Sequence, residues 1–288
     1  MKIVFVTSCI VFLSFTIGKS QDPNFKLYED SLKSIAPLIL NGATDIEKLQ
    51  ANSQFIELLS KVLEKEGSFK YPFDSLVTIA RLQSDAGSFR IFNWNLPKED
   101  GTYLYFGIIQ WYNKKSGQTD LFPLKDKSKK INLPEIKKLS NNNWYGAHYY
   151  DLAAHKWMGK TTYTLLGWDG NTRQTTKKVV DILYFDKVKG PLFGKDVFEV
   201  DGTAKHRVIL EYSSLAVMSL KFEKKKKMIV FDNLGSIHEG LPLIPQFNGP
   251  DGSYNALRFK RGKWRYIQDY DARNSRSLLN TKKYNPPK

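Results

Sequence analysis

Two histidines and an aspartate stand close together in the chain and could bind a metal ion or act as a general acid and base. They are His148, Asp151 and His155. On a helix the three side chains would share a face, which suits either role. The aromatic residues around them indicate a strand instead, on which His148 and Asp151 would point to opposite faces. We therefore expect partly buried histidines and no metal site.

Two aspartates near the end of the chain, Asp269 and Asp271, form a second candidate site. Two carboxylates on one face of a strand end could serve glycoside hydrolysis or bind a cation. The alternative is structural, because the pair would also keep a strand end in water and offset the charges of Arg258, Arg265 and Arg273. The sequence favours the structural alternative, and we predict no catalytic residue here.

The last hairpin forms a third candidate site. If Arg261 and Gly262 make a two-residue turn, Phe259 faces Trp264 on one side of the hairpin. The other side then carries four cations that face one another: Arg258, Lys260, Lys263 and Arg265. The guanidinium group of arginine can donate two hydrogen bonds to one phosphate or carboxylate group, so these four residues form a candidate anion-binding patch. The alternative is an edge strand whose charges prevent edge-to-edge aggregation.

Standard catalytic and cofactor-binding motifs are absent from the sequence. It contains no GxSxG, no GxxxxGK[ST], no GxGxxG after a predicted strand and no CxxC pair. His238-Glu239 does not begin an HExxH motif, because Gly240, Leu241 and Pro242 follow. The sequence therefore predicts no cofactor and favours a protein that is not an enzyme.

The excess of positive charge points to an anionic partner. The chain of 288 residues has a formal net charge of +15, and loss of Lys2 and Lys19 with a leader would leave +13. Such an excess favours polyanions. An exported protein meets anionic lipid or envelope polymers, so we expect one of these as partner and no nucleic acid. A lysine-rich surface that only keeps the protein soluble is the alternative. The oligomeric state is not predicted.

The chain begins with the layout of a secretory signal peptide. Lys2 gives a positive start, residues 3–17 are mainly apolar, and residues 18–20 offer a cleavage site. Cys9 resembles the acylated cysteine of a lipoprotein, but the apolar run continues past it. We expect export to the periplasm or out of the cell, and a mature chain without cysteine. No later stretch is apolar enough to predict a membrane span.

Two helices are predicted after the leader. The first repeats apolar residues at helical spacing, and Pro37 is expected to kink or split it. The second begins with a capping box formed by Thr44 and Glu47. Its predicted apolar stripe consists of Ile46, Leu49, Ile56, Leu59 and Leu63. We expect both helices to cover one face of a central sheet.

The centre of the predicted sheet is an aromatic hairpin in residues 84–112. The first strand carries a different apolar set on each face: Phe89 and Ile91 on one, and Phe92, Trp94 and Leu96 on the other. The second strand repeats this pattern. Apolar residues on both faces indicate a sheet that is covered on both sides.

Strand patterns and turn signals continue to the last hairpin and predict an antiparallel meander, with strands that include residues 76–82 and 215–222. The fold class is thus α+β, with N-terminal helices packed on a large antiparallel sheet system, either curved or a sandwich. Recurring turn-aromatic-strand units make a β-propeller the alternative, although they show no fixed period. The predicted parts are a signal peptide (1–20), a helical segment (21–75), a β domain (76–273) and a weakly ordered tail (274–288).

Three short segments carry a family resemblance: residues 90–95 (RIFNWN), 163–170 (YTLLGWDG) and 249–254 (GPDGSY). Together with the charged last hairpin, they resemble segments of a family of uncharacterised exported proteins from Gram-negative bacteria. The similarity covers most of the chain after residue 76. It implies export and a β-rich fold, and it brings no known activity or site.

The sequence thus predicts an exported protein that is not an enzyme and that associates with the envelope or binds a ligand through a basic surface. The alternative is a secreted hydrolase that acts on glycan or another envelope polymer. That alternative rests on the carboxylates and the aromatic content alone. Aromatic residues on strands with two apolar faces are better explained as core.

Overall fold

A computed structural model describes residues 24–200, 202–237, 240 and 244–272. The helices in this part of the chain are α1 (Phe25–Asn41) and α2 (Asp45–Leu63). The strands are β1 (Ala80–Gln83), β2 (Phe89–Pro97), β3 (Tyr103–Tyr112), β4 (Thr119–Lys125), β5 (Leu139–Ser140), β6 (His148–Trp157), β7 (Lys160–Asp169), β8 (Thr175–Asp186), β9 (Gly190–Phe193), β10 (Phe198–Val200), β11 (Thr203–Lys205), β12 (Val208–Ser213), β13 (Leu220–Glu223), β14 (Met228–Ser236), β15 (Asn248–Lys260) and β16 (Lys263–Ile267). The predicted signal peptide (1–20) and tail (274–288) lie outside the described residues.

Helix α2 begins where the sequence predicts, because two side chains satisfy backbone N–H groups at its start. The Thr44 hydroxyl accepts a hydrogen bond from the Glu47 N–H (3.2 Å), and the Glu47 carboxylate accepts one from the Ala43 N–H (2.8 Å). Helix α1 runs through Pro37 without a break, so of the two predicted alternatives, a kink or a split, the split is wrong. Proline removes only one helical donor, and the helix is buried against α2 on both sides of it.

The predicted apolar stripe of α2 is wrong in its first half. Ile46 and Leu49 are exposed, and the buried face begins only later in the helix. Its members are Ala51, Asn52, Phe55, Leu59, Val62 and Leu63. Apolar spacing identifies a helix, but the packing of α1 and the first sheet decides which face is buried. Asn52 fits this face because its side-chain oxygen accepts a hydrogen bond from Trp94 Nε1 (2.7 Å).

The first sheet contains β1 to β4 in chain order, and every pairing in it is antiparallel. The two-sided pattern of the aromatic hairpin is confirmed. Phe92 and Trp94 pack against the two helices, while Phe89 and Ile91 pack against the second sheet. The predicted strand at residues 76–82 begins only at Ala80, because turns precede it.

The second sheet has the strand order β5, β9, β8, β7, β6, and β12 also pairs with β8. Both faces of this sheet are buried. Leu165 of β7 belongs to the core shared with the first sheet, and its neighbour Leu166 belongs to the core shared with the third. The second sheet is therefore the middle β layer of the protein.

The third sheet has the strand order β11, β10, β16, β15, β14, β13. Its pairing of β10 with β16 is parallel, which the predicted antiparallel meander does not contain. This pairing joins strands that are far apart in sequence, so no local turn signal predicts it. The predicted strand at residues 215–222 begins only at Leu220, because a turn and an irregular segment precede it.

The described chain forms four layers: the two helices, the first sheet, the second sheet and the third sheet. This arrangement confirms an α+β fold with helices on a large sheet system. The propeller alternative is wrong for the described chain, because closure would need the third sheet to pack on the first. Helices α1 and α2 occupy that face of the first sheet. Neither described helix has the length and apolar character of a bilayer-spanning helix.

Buried side chains join the first two sheets. The Asn93 amide donates to the Tyr149 carbonyl oxygen (3.2 Å) and accepts from the Tyr149 N–H (2.7 Å). Tyr149 needs these partners because a β-bulge follows it in β6. The Tyr105 hydroxyl likewise donates to the Asp169 carboxylate (2.8 Å) and accepts from the Gly170 N–H (2.8 Å). Burial and the facing carboxylate hold the pKa of Tyr105 well above its usual value, so its proton stays in place.

A fully buried ion pair joins β8 of the second sheet to the residue that precedes β12. Arg207 Nε is 3.1 Å from Asp181 Oδ2, and neither side chain has exposed surface. The guanidinium also donates to the carbonyl oxygens of Pro134 and Lys137, and Tyr149 donates its hydroxyl proton to Asp181. These bonds satisfy most of the polar atoms that burial removes from water.

Substitution of Arg207→Met is expected to lower the free energy of unfolding by about 3–5 kcal/mol, because Asp181 then keeps a buried charge without its partner. Urea denaturation followed by circular dichroism measures this loss. The double variant Arg207→Met with Asp181→Leu is the control, since it removes both charges. An equal or larger loss in the double variant would contradict the prediction.

Candidate anion-binding surface

The register predicted for the last hairpin is confirmed. The facing pairs of β15 and β16 are Arg258 with Arg265, Phe259 with Trp264, and Lys260 with Lys263. The two aromatic residues pack towards the second sheet, so the four cations point away from it. Three of these cations are exposed, and Lys263 is partly buried.

Two acids from another part of the chain neutralise half of this patch. Arg265 Nε lies 3.2 Å from Glu199 Oε2, and Lys263 Nζ lies 3.3 Å from Asp196 Oδ1. Glu199 stands directly opposite Arg265 because β10 pairs with β16. Strand β16 is therefore an interior strand, and the predicted role of its charges in protecting a sheet edge is wrong. Arg258 has no acid partner among the described residues.

The larger cationic surface consists of six hairpin turns that lie together. These turns follow β1, β3, β6, β8, β13 and β15. Every second turn of an antiparallel meander lies at the same end of its sheet. With two strand residues counted on each side of each turn, the exposed or partly exposed cations are Lys114, Lys115, Lys156, Lys160, Lys187, Lys189, Lys224, Lys225, Lys226, Lys227, Lys260, Arg261 and Lys263. We call this surface the basic end.

Contacts between the sheets show that the six turns share one end. The rings of Trp111 and Phe185 lie 4.2 Å apart, just before the turns that follow β3 and β8. Trp157, at the end of β6, lies so close to Gly262 that a Cβ there would come within 2.5 Å of its ring. The first contact joins the first and second sheets, and the second contact joins the second and third. Stacking of the three meanders therefore brings their turns together.

Acids are scarce at the basic end. In the same segments they are Asp85, Asp120, Asp186 and Glu223, against the thirteen cations named above. Ion pairs at this end involve Lys226, 3.0 Å from Glu223, and Lys263. The Asp186 carboxylate instead accepts hydrogen bonds from two backbone N–H groups of its own turn, which lower its pKa. Most of the described lysines at this end thus lack a carboxylate partner.

The turns after β2 and β7, at the other end of the first two sheets, are balanced in charge. They carry Lys98 and Arg173 together with Glu99 and Asp100. The Arg173 guanidinium donates to the backbone carbonyl oxygens of Glu99 and Asp100, so these two turns also touch. The hairpin turns of the first two sheets therefore carry their excess positive charge at one end.

The predicted candidate metal ligands do not assemble. His148, Asp151 and His155 lie on β6, as the aromatic pattern indicated, but the expectation that His148 and Asp151 point to opposite faces is wrong. The β-bulge at Tyr150 adds one residue and returns Asp151 to the face of His148. Several strand residues still separate the histidines, at about 3.3 Å per residue. No group of potential metal ligands is found among the described residues.

His155 lies against aromatic residues of the third sheet, with its ring centroid 4.6 Å from Phe259 and 4.8 Å from Trp264. The side chain is buried, and its Nε2 atom has no hydrogen-bond partner. A cavity of about 260 Å³ beside it is also lined by Lys224 and Lys227. Burial, and then the charge of Lys227, lower the pKa of His155 to about 4. The imidazole is therefore neutral at neutral pH.

The aspartate pair lies beyond the end of β16. Asp269 and Asp271 are both exposed, and Asp269 has a φ of 50°, which breaks the alternation of a strand. The Asp269 N–H donates to the Asn255 side chain (3.2 Å). Neither aspartate lines the cavity beside His155. The geometry does not combine them with His148 or His155.

Comparison of the chain with family models, with curated proteins and with solved structures found no match. The family resemblance stays a prediction. A functional proposal therefore rests on the residues themselves. Sequence reasoning identified the patch on the last hairpin but missed the basic end, although five of its six turns visibly carry lysine. The missing information was which turns become neighbours.

Because the pKa of His155 lies below its value in an unfolded chain, the unfolded state binds a proton first as the pH falls. The free energy of unfolding is expected to fall by up to about 3 kcal/mol between pH 6.5 and 4. Urea denaturation at several pH values measures this loss. The variant His155→Phe, which keeps an aromatic ring and cannot titrate, should lose less stability over the same range. Equal pH dependence in both proteins would show that the loss of stability does not come from His155.

Proposed function

We propose that this chain is an exported protein that is not an enzyme and that binds an anionic polymer or lipid surface of the cell envelope through its basic end. The clustering of six turns at one end of the sheets, five of which carry lysine, carries this proposal. A lysine-rich surface that served only solubility would not need its cations on one side. Concentrated cations of one sign instead attract a polyanion and orient the protein towards it.

The size of the basic end suits a multivalent electrostatic contact. Stacked sheets lie about 10 Å apart, so the three sheets place their turns within about 20 Å of one another. Charges at such distances still act together at moderate salt, where the Debye length is about 10 Å. Lysines are flexible point charges, which suits a surface of repeated phosphate, sulfate or carboxylate groups better than one bound small molecule.

The patch of Arg258, Lys260, Lys263 and Arg265 extends this surface along the outer face of the third sheet. Lys260 and Lys263 flank the last turn and belong to the basic end. The other two cations lie two residues further from that turn, and one of them already pairs with Glu199. The patch is thus the margin of a larger surface.

Export is part of the proposal and rests on the leader-like first residues and on the family resemblance. The alternative of a secreted hydrolase finds no support in the positions of Asp269, Asp271 and His148, which lie apart. It stays a prediction from composition.

The variant Lys187→Gln with Lys189→Gln tests the basic end. Binding of labelled dextran sulfate, measured over a series of sodium chloride concentrations, should weaken as salt rises. The slope of log affinity against log salt is expected to fall by about 1 for each lysine that contacts the polymer. Neither side chain forms an ion pair in the described chain, so the fold should not change.

The matched control removes the same charge far from the basic end. Lys129→Gln with Lys130→Gln changes two exposed lysines in the segment after β4, at the opposite end of the first sheet. This variant should keep nearly the affinity of the unchanged protein. If both double variants lose affinity equally, only net charge matters and the basic end is not a site.

A substitution that removes an acid, instead of a cation, tests the margin of the surface. Glu199→Gln frees Arg265 from its ion pair, so affinity for dextran sulfate is expected to rise about twofold to fivefold, which matches the strength of an exposed ion pair. Glu57→Gln, at an exposed position on α2, is the control and should leave affinity nearly unchanged. No difference between the two variants would place this margin outside the site.

A further inference from the structure

Large apolar side chains protrude from the basic end. Met158 is 83% exposed and Trp157 is 46% exposed at the turn after β6, while Val188 is 92% exposed at the turn after β8. Exposed apolar residues cost little singly, but these three stand at the tips of neighbouring turns in the most cationic region described. Their position suggests contact with something that is both anionic and apolar.

The fold does not explain Met158. Met158 and Gly159 are the central residues of a two-residue hairpin turn, with φ values of 46° and 74°. Asparagine, aspartate or glycine suits the first of these positions, because an ordinary side chain is strained at positive φ. Methionine gains little from packing there, since most of its surface is exposed. The residue is therefore poor for the turn and adds nothing visible to the core.

The two apolar tips can reach one flat surface together. The turn after β6 and the turn after β8 lie at the same end of the second sheet and are two strand spacings apart, about 10 Å. Lysines flank both tips: Lys156 and Lys160 at the first, Lys187 and Lys189 at the second. Each tip thus presents an apolar point with a cation on either side.

Leu133 and Ile136 are also exposed beside lysines, between β4 and β5, whereas the segment between β12 and β13 lacks this combination. Leu215 is 91% exposed in the segment between β12 and β13, and Val217 is similarly exposed. Residues 213–219 contain no charged side chain. That segment precedes β13, whose far end carries the turn of residues 224–227, so it lies away from the basic end. Apolar exposure and positive charge therefore coincide at the basic end and not in the segment between β12 and β13.

We infer that the basic end docks on the surface of an anionic phospholipid bilayer, with Trp157 and Met158 inserted at the boundary between headgroups and acyl chains. This inference rests on the proposed function and names the lipid surface as its partner. Lysines would contact headgroup phosphates, since cations near an anionic bilayer are attracted to it. Tryptophan favours that boundary because its ring is apolar and its N–H is polar. A hydrated polymer offers no apolar phase for Met158.

The test uses the chain from residue 21 onward, which retains every residue of the four hydrophobic cores. Co-sedimentation is measured with vesicles of phosphatidylglycerol and phosphatidylcholine in equal parts, and with vesicles of phosphatidylcholine alone. The mixed vesicles should bind and the neutral vesicles should not. Mixed vesicles with brominated acyl chains should quench the fluorescence of Trp157, and Trp157→Phe should remove most of that quenching.

The variant Met158→Asn separates insertion from charge. It keeps every lysine and places a residue that the turn prefers, so misfolding cannot explain a loss. Affinity for mixed vesicles is expected to fall about tenfold, since an apolar side chain no longer leaves water. Affinity for dextran sulfate should not change. The matched control Leu215→Asn removes an equally exposed apolar residue far from the basic end and should bind both partners as before.

The outcomes separate the two proposals. Unchanged vesicle binding by Met158→Asn, or no quenching by brominated lipid, overturns insertion and leaves a purely electrostatic partner such as a polymer. Absence of vesicle binding with retained binding of dextran sulfate overturns the lipid inference alone. Absence of dextran sulfate binding by the unchanged protein overturns the proposed function.

Discussion

The fold depends on a sheet that is buried on both faces. In the second sheet, neighbouring residues such as Leu165 and Leu166 belong to different cores. Almost every side chain of this sheet must therefore fit into one packed core or the other. Polar groups inside such a layer must find partners, because no water reaches them. Asp181 and Arg207 meet this need for each other, and Asn93 meets it for the backbone next to the β-bulge.

This middle layer also explains how the charged surface forms. In an antiparallel meander, successive turns lie at opposite ends of the sheet. The second sheet packs on both the first and the third sheet and so fixes their orientation. Turns that are distant in sequence become neighbours, as the contact of Trp157 with Gly262 shows. A lysine in a single turn only keeps that turn hydrated. Lysine in five adjoining turns is a surface property, and it exists only in the packed protein.

The segments that carry the family resemblance have structural positions. RIFNWN contains Asn93, which joins the first two sheets, and YTLLGWDG ends with Asp169 and Gly170, which bind the Tyr105 hydroxyl. In GPDGSY, Asp251 accepts hydrogen bonds from the N–H and hydroxyl of Ser253. All three roles are structural, because they join sheets or close a turn.

The sequence alone determined the local features: the two faces of the aromatic hairpin, the capping box of α2 and the register of the last hairpin. Each follows from side-chain alternation, turn chemistry or capping over a few residues. Tertiary structure decided which face of α2 is buried, where the bulge at Tyr150 lies, and that Glu199 meets Arg265. It also decided that the lysine-rich turns share one end. These features depend on packing between segments far apart in the chain, and short-range patterns contain no information about it.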